Sequence, residues 1–283
     1  MRLRVATCLT LPEPDPDAEP LAAALAAAGI DAQVVAWDDP AADWTTPIPT
    51  IIRSTWNYSL ARDEFLAWCD RVHATAPLFN PPAIAHANSH KRYLLDLAAR
   101  GVPTVPTTLV PRGGSLGDAG AAYERMVIKP AIAGGSLGAK VFAATDRDAA
   151  ATHTAAWTAR GDVLVQPYLA SVEDYGERSL VWIDGAITHA IRKSPRFSGD
   201  AEQVTGPHPI AIDERAVAEA ALEPWQDTIL YGRVDMARDA MGNPCVMELE
   251  LIEPSLFFAK YPPSVDRYLD GLTRRLRAAG AWS

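Results

Sequence analysis

Residues 231–255 read YGRVDMARDAMGNPCVMELELIEPS. Valine, methionine, cysteine and leucine mark two strands, and AMGNP at 240–244 breaks between them. Asp235, Glu248 and Glu250 nevertheless lie inside those strands. Side chains alternate faces along a strand, so Glu248 and Glu250 share one. A hairpin centred on Met241-Gly242 sets Asp235 opposite Glu248, and directly opposed residues hold their Cβ atoms about 4.5–5.5 Å apart. Arg233, two residues before Asp235, shares the face. Three carboxylates and one guanidinium thus converge, and like charges this close repel unless something neutralises them. One Arg is not enough. A divalent cation bridged to phosphate oxygens is, because Mg²⁺ prefers few carboxylates plus substrate phosphates. Without it, repulsion should raise at least one of the three pKa values above the ~4.3 of a free Glu. Glu248→Gln should then leave the metal-free fold as stable or slightly more so. The competing reading is a solvated hairpin face with an Arg–Asp pair, since antiparallel sheets often leave one face wet. The choice between them turns on whether a phosphate site exists upstream.

VIKPAIAGGSLGAK at 127–140 supplies a candidate. Lys129 ends an apolar strand, where an unpaired charge is costly. Gly134, Gly135 and Gly138, with Ser136 among them, let backbone N–H groups approach an anion closely. AKVFAA then returns as a strand, so the loop tips a hairpin. It is not a P-loop, which needs G-K-[ST] opening a helix. Of 26 basic residues only Lys91, Lys129, Lys140, Lys193 and Lys260 are lysines, so each Lys stands out in a chain that otherwise takes Arg.

The 283 residues are 48% hydrophobic, enough for one large or two smaller cores. A net charge of −9 with no Lys/Arg run argues against nucleic acid as partner. No N-terminal signal peptide is read, and LAAALAAAGI is too short to span a bilayer, which takes about 20 apolar residues. Three distant cysteines without a CxxC read as reduced thiols of a cytoplasmic protein.

Strand, helix, strand, strand and helix follow in order from RLRVATCLTL through AEPLAAALAAAG, DAQVVAW and TIIRSTW to ARDEFLAWCDRVHAT. This alternation predicts an open parallel sheet covered on both faces. The prolines of LFNPPAIAHA suggest its end. NSHKRYLLDLAARG is expected as one helix, capped by Asn88 or Ser89 and ended by Gly101, with the Pro/Gly/Thr-rich segment after it a connector. DRDAAATHTAAWTARG reads as a helix, DVLVQPYL as a strand, and ERSLVWIDGAITHAIRKSP as a hairpin turning on Asp184-Gly185. FSGDAEQVTGPHP reads as a polar loop and SVDRYLDGLTRRLRAAG as the last helix.

In this order, the motifs resemble those of the ATP-grasp superfamily, the fold of D-alanine–D-alanine ligase and glutathione synthetase. The resemblance covers nearly the whole chain. It implies an N-terminal Rossmann-like domain at 1–86, a central lid domain at 87–167 and a C-terminal α+β domain at 168–283, with ATP in the cleft between the last two. It also implies that Lys91 meets the phosphates and that Lys129 contacts phosphate and adenine below the lid residues Gly134, Gly135 and Ser136. The QPYL strand would line the adenine, Gln166 by its amide, Pro167 by its C=O and Leu169 by its N–H, with Tyr168 between them. Gln166 replaces an acid common in relatives. Glu173 matches the ribose-binding acid. Asp235, Glu248 and Glu250 match the metal ligands, for Mg²⁺, one ion or two, with Mn²⁺ as a substitute. Arg233 matches the Arg that contacts phosphate and the developing oxyanion.

The chemistry so implied is activation of a carboxylate as an acyl phosphate with release of ADP, then capture by a nitrogen nucleophile. A small amino-acid-like substrate is expected, with neither nucleic acid nor membrane as partner, and a homo-oligomer is allowed. Its contacts are sought at Arg53 and Ser54, at a strand end where open α/β sheets place ligands, at Arg192, Lys193 and Ser255, and with less claim at His208. TWNY…DEFLAW and ELELIEPSLFF are most similar to a branch of small bacterial ATP-grasp proteins that includes the cyclo-ligases of D-cycloserine biosynthesis. That points to closure of O-ureido-D-serine with loss of its carbamoyl group as CO₂ and ammonia. An intermolecular carboxylate–amine ligase and a nucleotide-binding regulator without turnover stand as alternatives.

Overall fold

The computed structural model describes residues 1–194 and 203–282. The first unit runs β1 (Arg2–Thr7), α1 (Ala18–Ala27), β2 (Asp31–Ala36), β3 (Thr50–Ser54), α2 (Arg62–Thr75) and β4 (Leu78–Phe79). Its sheet has the order β2-β1-β3-β4, and each pairing is parallel. β3 is buried at every residue, as a central parallel strand must be. On α2, Phe65, Leu66, Trp68, Cys69 and Val72 form the buried stripe that the helical spacing predicts.

The second unit contains α3 (Pro82–Asn88), α4 (Tyr93–Ala99), β5 (Thr108–Val110), β6 (Arg125–Pro130), β7 (Lys140–Ala143), α5 (Arg147–Thr158) and β8 (Val163–Pro167). Its sheet, β5-β8-β6-β7, is antiparallel throughout. The expected single helix from Asn88 is broken here. Asn88 ends α3 and spends its amide on the neighbouring sheet, donating to Leu249 O (2.9 Å) and accepting from Leu251 N (2.8 Å). The connector also carries structure. β5 lies within it, and its first residues run along a strand edge through Val246 N to Pro103 O and Val105 N to Val246 O.

The third unit runs α6 (Ser171–Asp174), β9 (Glu177–Ile183), β10 (Ala186–Lys193), β11 (Val204–His208), α7 (Ile212–Leu222), β12 (Tyr231–Arg238), β13 (Pro244–Glu250) and α8 (Pro263–Ala278). Its sheet has the order β11-β10-β9-β12-β13 and is antiparallel. Asp184 (φ 45°) and Gly185 (φ 86°) are both left-handed, as a two-residue hairpin turn requires. The expected polar loop is corrected in part. Residues 197–202 lie outside the described residues, but Val204–His208 is an edge strand paired to β10. It carries no apolar run because neither face of it is fully buried. α7, unread in the sequence, packs Ala218, Ala221 and Leu222 into the core shared by β12 and β13.

Three side chains fasten the first sheet to the third. Asn80 donates to Tyr231 O (2.8 Å) and Leu251 O (2.7 Å) and accepts from Leu230 N (2.7 Å). The Tyr231 hydroxyl reaches the carbonyls of Ile52 and Ile252. Asp17, fully buried, pairs with Arg53 at 3.0 Å and accepts the N–H groups of Leu256 and Phe258. Removing that carboxylate strands a buried guanidinium. Asp17→Asn should therefore lower stability by about 3–5 kcal/mol in urea unfolding; a change under 1 kcal/mol would show that Asp17 is not what fixes this junction. No helix among the described residues is long and apolar enough to cross a membrane.

Candidate active site

The register of β12 against β13 places Arg233 opposite Glu250 and Asp235 opposite Glu248, with a bulge immediately after Asp235. β9 lies on the other side of β12, with Ser179 opposite Asp235, and β10 pairs Lys193 with Glu177. Residues two apart on a strand share a face, so Glu177, Lys193, Arg233, Asp235, Glu248 and Glu250 line one face across four strands.

On that face charges alternate. Arg233 grips Asp235 in a fork, Nε to Oδ1 and Nη2 to Oδ2, both 2.8 Å. Its Nη2 also reaches Glu250, and its Nη1 donates to Ser255 O (3.1 Å). Lys193 Nζ lies 2.8 Å from Asp235 Oδ2 and 2.7 Å from Glu177 Oε1. From the second unit, Lys129 Nζ donates to Glu248 Oε1 at 2.7 Å, and Lys91 Nζ stands 3.3 Å from Glu248 Oε2 and 2.9 Å from Ala133 O. Three of the five lysines thus meet at one site.

These pairs correct the expected electrostatics. Burial favours the neutral acid at Glu248, but Lys129 and Lys91 outweigh it and hold the carboxyl at about 2. Burial likewise opposes ionisation of Asp235, and Arg233 with Lys193 pulls it well below the usual range. Burial lifts Glu250 above its ordinary value despite Arg233, and lifts Glu177 to about 7 despite Lys193. Glu250 is raised chiefly by burial, with repulsion from Asp235 and Glu248 a lesser cause, and Glu248 is not raised. These pairs argue against the expectation that removing Glu248 spares the metal-free fold, because two lysines hold the carboxylate that the hairpin alone left unneutralised.

The metal ligands expected from the motifs are accordingly turned to cations. Among the described residues no three His, Cys, Asp or Glu side chains converge as a ready metal cluster. The donor set still suits a hard divalent ion, since carboxylate oxygens on opposed strands are its ligands of choice, and Glu248 (26%) and Glu250 (30%) remain open to solvent. Release of Lys91 and Lys129 would free Glu248, whereas Glu250 stays on Arg233.

The glycine-rich loop arches beside Lys91 and Lys129. Lys91 N donates to Ala131 O, and the loop closes turns from Leu137 N to Gly134 O and from Ala139 N to Ser136 O. Ser136 (φ 63°) and Gly135 (φ 57°) are left-handed. Gly138 is obligatory on two grounds. Its φ is 71°, and a Cβ there would stand 2.4 Å from the Trp157 ring.

Gln166, on β8, donates Nε2–H to Thr107 Oγ1 (2.8 Å), which uses a donor and spares the acceptor. Pro167 ends that strand beside Met126, Tyr168 N donates to Arg125 O, and Leu169 O accepts from Val172 N. Glu173 is not brought to the cluster. It binds Arg125 (3.0 Å) and the Tyr168 hydroxyl (2.8 Å), with Arg125 lying 3.8 Å from the Tyr168 ring centroid. Glu177 stands at the cluster instead. The signal for it was slight, an acid opening a strand just after Gly176.

Of the expected substrate contacts, Lys193 joins the carboxylates and Ser255 borders them through its carbonyl. Arg53 is 2% exposed and committed to Asp17 and to Pro254 O (3.1 Å). Ser54 shares a hydrogen bond with Thr7 (3.0 Å). Arg192 caps Asp174 O, and His208 pairs with Thr205 (2.9 Å). Neither touches the cluster.

Residues 3–80 match the family described as the N-terminal domain of D-cycloserine synthetase DcsG. The cycloserine biosynthesis protein DcsG of Streptomyces lavendulae is 34% identical over 286 residues, covering 93% of this chain and 95% of that protein. The crystal structure of D-cycloserine synthetase DcsG superposes with a TM-score of 0.89 at 34% identity, over 98% of this chain and 100% of that one. D-alanine–D-alanine ligase of Bacillus anthracis shares the fold at 14% identity, with a TM-score of 0.68 over 99% of each chain.

Proposed function

This chain belongs to the DcsG family of ATP-grasp ligases, and we infer from that premise that it closes O-ureido-D-serine to D-cycloserine. The enzyme is an ATP-dependent ligase that forms a carbon–nitrogen bond. What supports this substrate is the likeness along nearly the whole chain; what supports the chemistry is the cluster. Lys91, Lys129, Lys193 and Arg233 face Glu177, Asp235, Glu248 and Glu250 beside a glycine-rich loop. A triphosphate carries the charge to draw Lys91 and Lys129 off Glu248. The Glu248 carboxylate so released would be a hard oxygen donor for a divalent ion, which when bound neutralises charge on the phosphates.

The other roles follow from position. Gln166, Pro167 and Leu169 would line the adenine, with Gln166 as acceptor for its amino group. Lys129 and the loop at Gly134, Gly135 and Ser136 would cover the phosphates. Arg233, fixed by Asp235 and Ser255, would meet the phosphoryl group and then the oxyanion of the acyl carbon. The substrate carboxylate oxygen attacks the γ-phosphorus and ADP leaves. The ring-closing nitrogen then attacks the acyl carbon, phosphate leaves and the nitrogen gives up its proton; water takes the carbamoyl group from that nitrogen, and it departs as CO₂ and ammonia. We place the domain limits near 86 and 167.

Incubation with ATP, Mg²⁺ and O-ureido-D-serine should release ADP in step with cyclic product, with no amine added. ADP release only after an amine is added would favour an intermolecular ligase. No ADP release under either condition would favour a regulator.

A further inference from the structure

Glu253 borders the cluster and differs from every other acid there. Glu177, Asp235, Glu248 and Glu250 each have an ion-pair partner. Glu253 forms none among the described residues, although it lies near enough to Glu250, Lys91 and Arg233 to feel each charge. It is half-buried. Burial, and then Glu250, push its carboxyl up to about 8.

The backbone around Glu253 is held from many directions, and none of the holding uses its side chain. Trp56 Nε1 donates to Glu253 O, Arg53 Nη2 to Pro254 O and Arg233 Nη1 to Ser255 O, each at 3.1 Å. Asp17 accepts Leu256 N and Phe258 N, and His189 bonds Leu256 O at 3.0 Å. A carboxyl group carried on a backbone fixed this firmly, without a cation and part-way out of water, is an unfilled acceptor. The half-buried Trp56 indole, its N–H bonded to the Glu253 carbonyl, sets an aromatic side chain against the same backbone. Arg233 and Lys91 supply positive charge close by. An α-amino acid presents the complementary pattern, a carboxylate and an ammonium one carbon apart.

We propose that Glu253, with the Trp56 indole beside it, receives the α-ammonium group of the amino-acid substrate while Arg233 and the loop take its carboxylate. This rests on the ligase reading and adds the feature by which the site selects α-amino acids. An ammonium arriving at Glu253 favours the ionised carboxylate, so the carboxyl proton passes to solvent and a charge-assisted pair forms. A substrate lacking it leaves Glu253 as it stands.

The test pairs two enzymes with two substrates. ADP release is measured for wild type and Glu253→Gln with O-ureido-D-serine and with 3-(ureidooxy)propanoic acid, its counterpart without the amino group. Removing one partner of a buried pair should lower kcat/KM for the amino acid by about 100-fold or more. The des-amino acid should be poor for wild type and no poorer for the variant, and the KM for ATP should stay within about twofold in both. Glu253→Asp should keep part of the preference, which serves if the Gln variant does not fold. Equal losses on both substrates, or a rise in ATP KM that tracks the loss, would overturn the assignment. If wild type leaves O-ureido-D-serine untouched, that substrate falls by itself. Wild type is then run on a set of α-amino acids and their des-amino counterparts, and equal ADP release from both kinds overturns the role of Glu253.

Discussion

Lys129→Ala should raise the KM for ATP at least about tenfold and lower kcat/KM by about 10²–10³, the range for losing one preorganised contact to developing charge. Lys129, one residue before the end of β6, sets its Nζ on Glu248 and is 9% exposed, so its charge is held where a water molecule cannot easily substitute for it. Alanine would remove the proposed phosphate contact from one side of the cleft and leave Glu248 with Lys91 alone. Lys129→Arg keeps the charge but brings a planar fork where a point charge stood, and should recover affinity better than turnover. Steady-state kinetics and ATP titration on the same preparations check both. Unchanged affinity and turnover in the Ala variant would detach the glycine-rich loop from the triphosphate.

The part of this site legible in the sequence is the part with a period. Alternation along a strand put Glu248 and Glu250 on one face, and the break at Met241-Gly242 put Asp235 opposite Glu248, as the register has it. The scarcity of lysine singled out Lys91, Lys129 and Lys193, which all arrive at the cluster. What was illegible depends on pairings distant in sequence. β9 lies between β10 and β12, and no local pattern says so, so Glu177 and the true partner of Lys193 were missed. Arg53 shows the same limit. At a strand end it reads as a ligand residue, but its partner, Asp17, lies 36 residues away in a stretch with no periodicity. Asn88 reads equally well as a helix cap or as a bridge to β13; only the backbone groups at that sheet edge decide it, and they are set by the third unit.

Glu248→Gln should abolish turnover and also weaken the ligand-free fold. Turnover should fall because Glu248 is the carboxylate paired with both Lys91 and Lys129, so the proposed exchange, which would free it for the metal and them for phosphate, would run through its two oxygens. Stability falls for a reason the hairpin alone would not reveal. The folded carboxyl sits at about 2 against an ordinary 4.5. A depressed acid contributes stability above its unfolded pKa and loses it as pH falls through its folded one. Wild type should therefore exceed the variant by about 2–3 kcal/mol near neutrality, and the gap should shrink between about pH 4.5 and 2 as the carboxylate is protonated. Metal-free thermal melting across that range measures it. ATP without Mg²⁺ gives the complementary result. In the variant Lys91 and Lys129 have no carboxylate to leave, so ATP should bind at least as tightly as to wild type although nothing turns over. An active variant would remove Glu248 from catalysis. An inactive one that melts like wild type at neutral pH and binds ATP more weakly would show that the lysines are not held in reserve by Glu248, and the exchange of partners would fall with it.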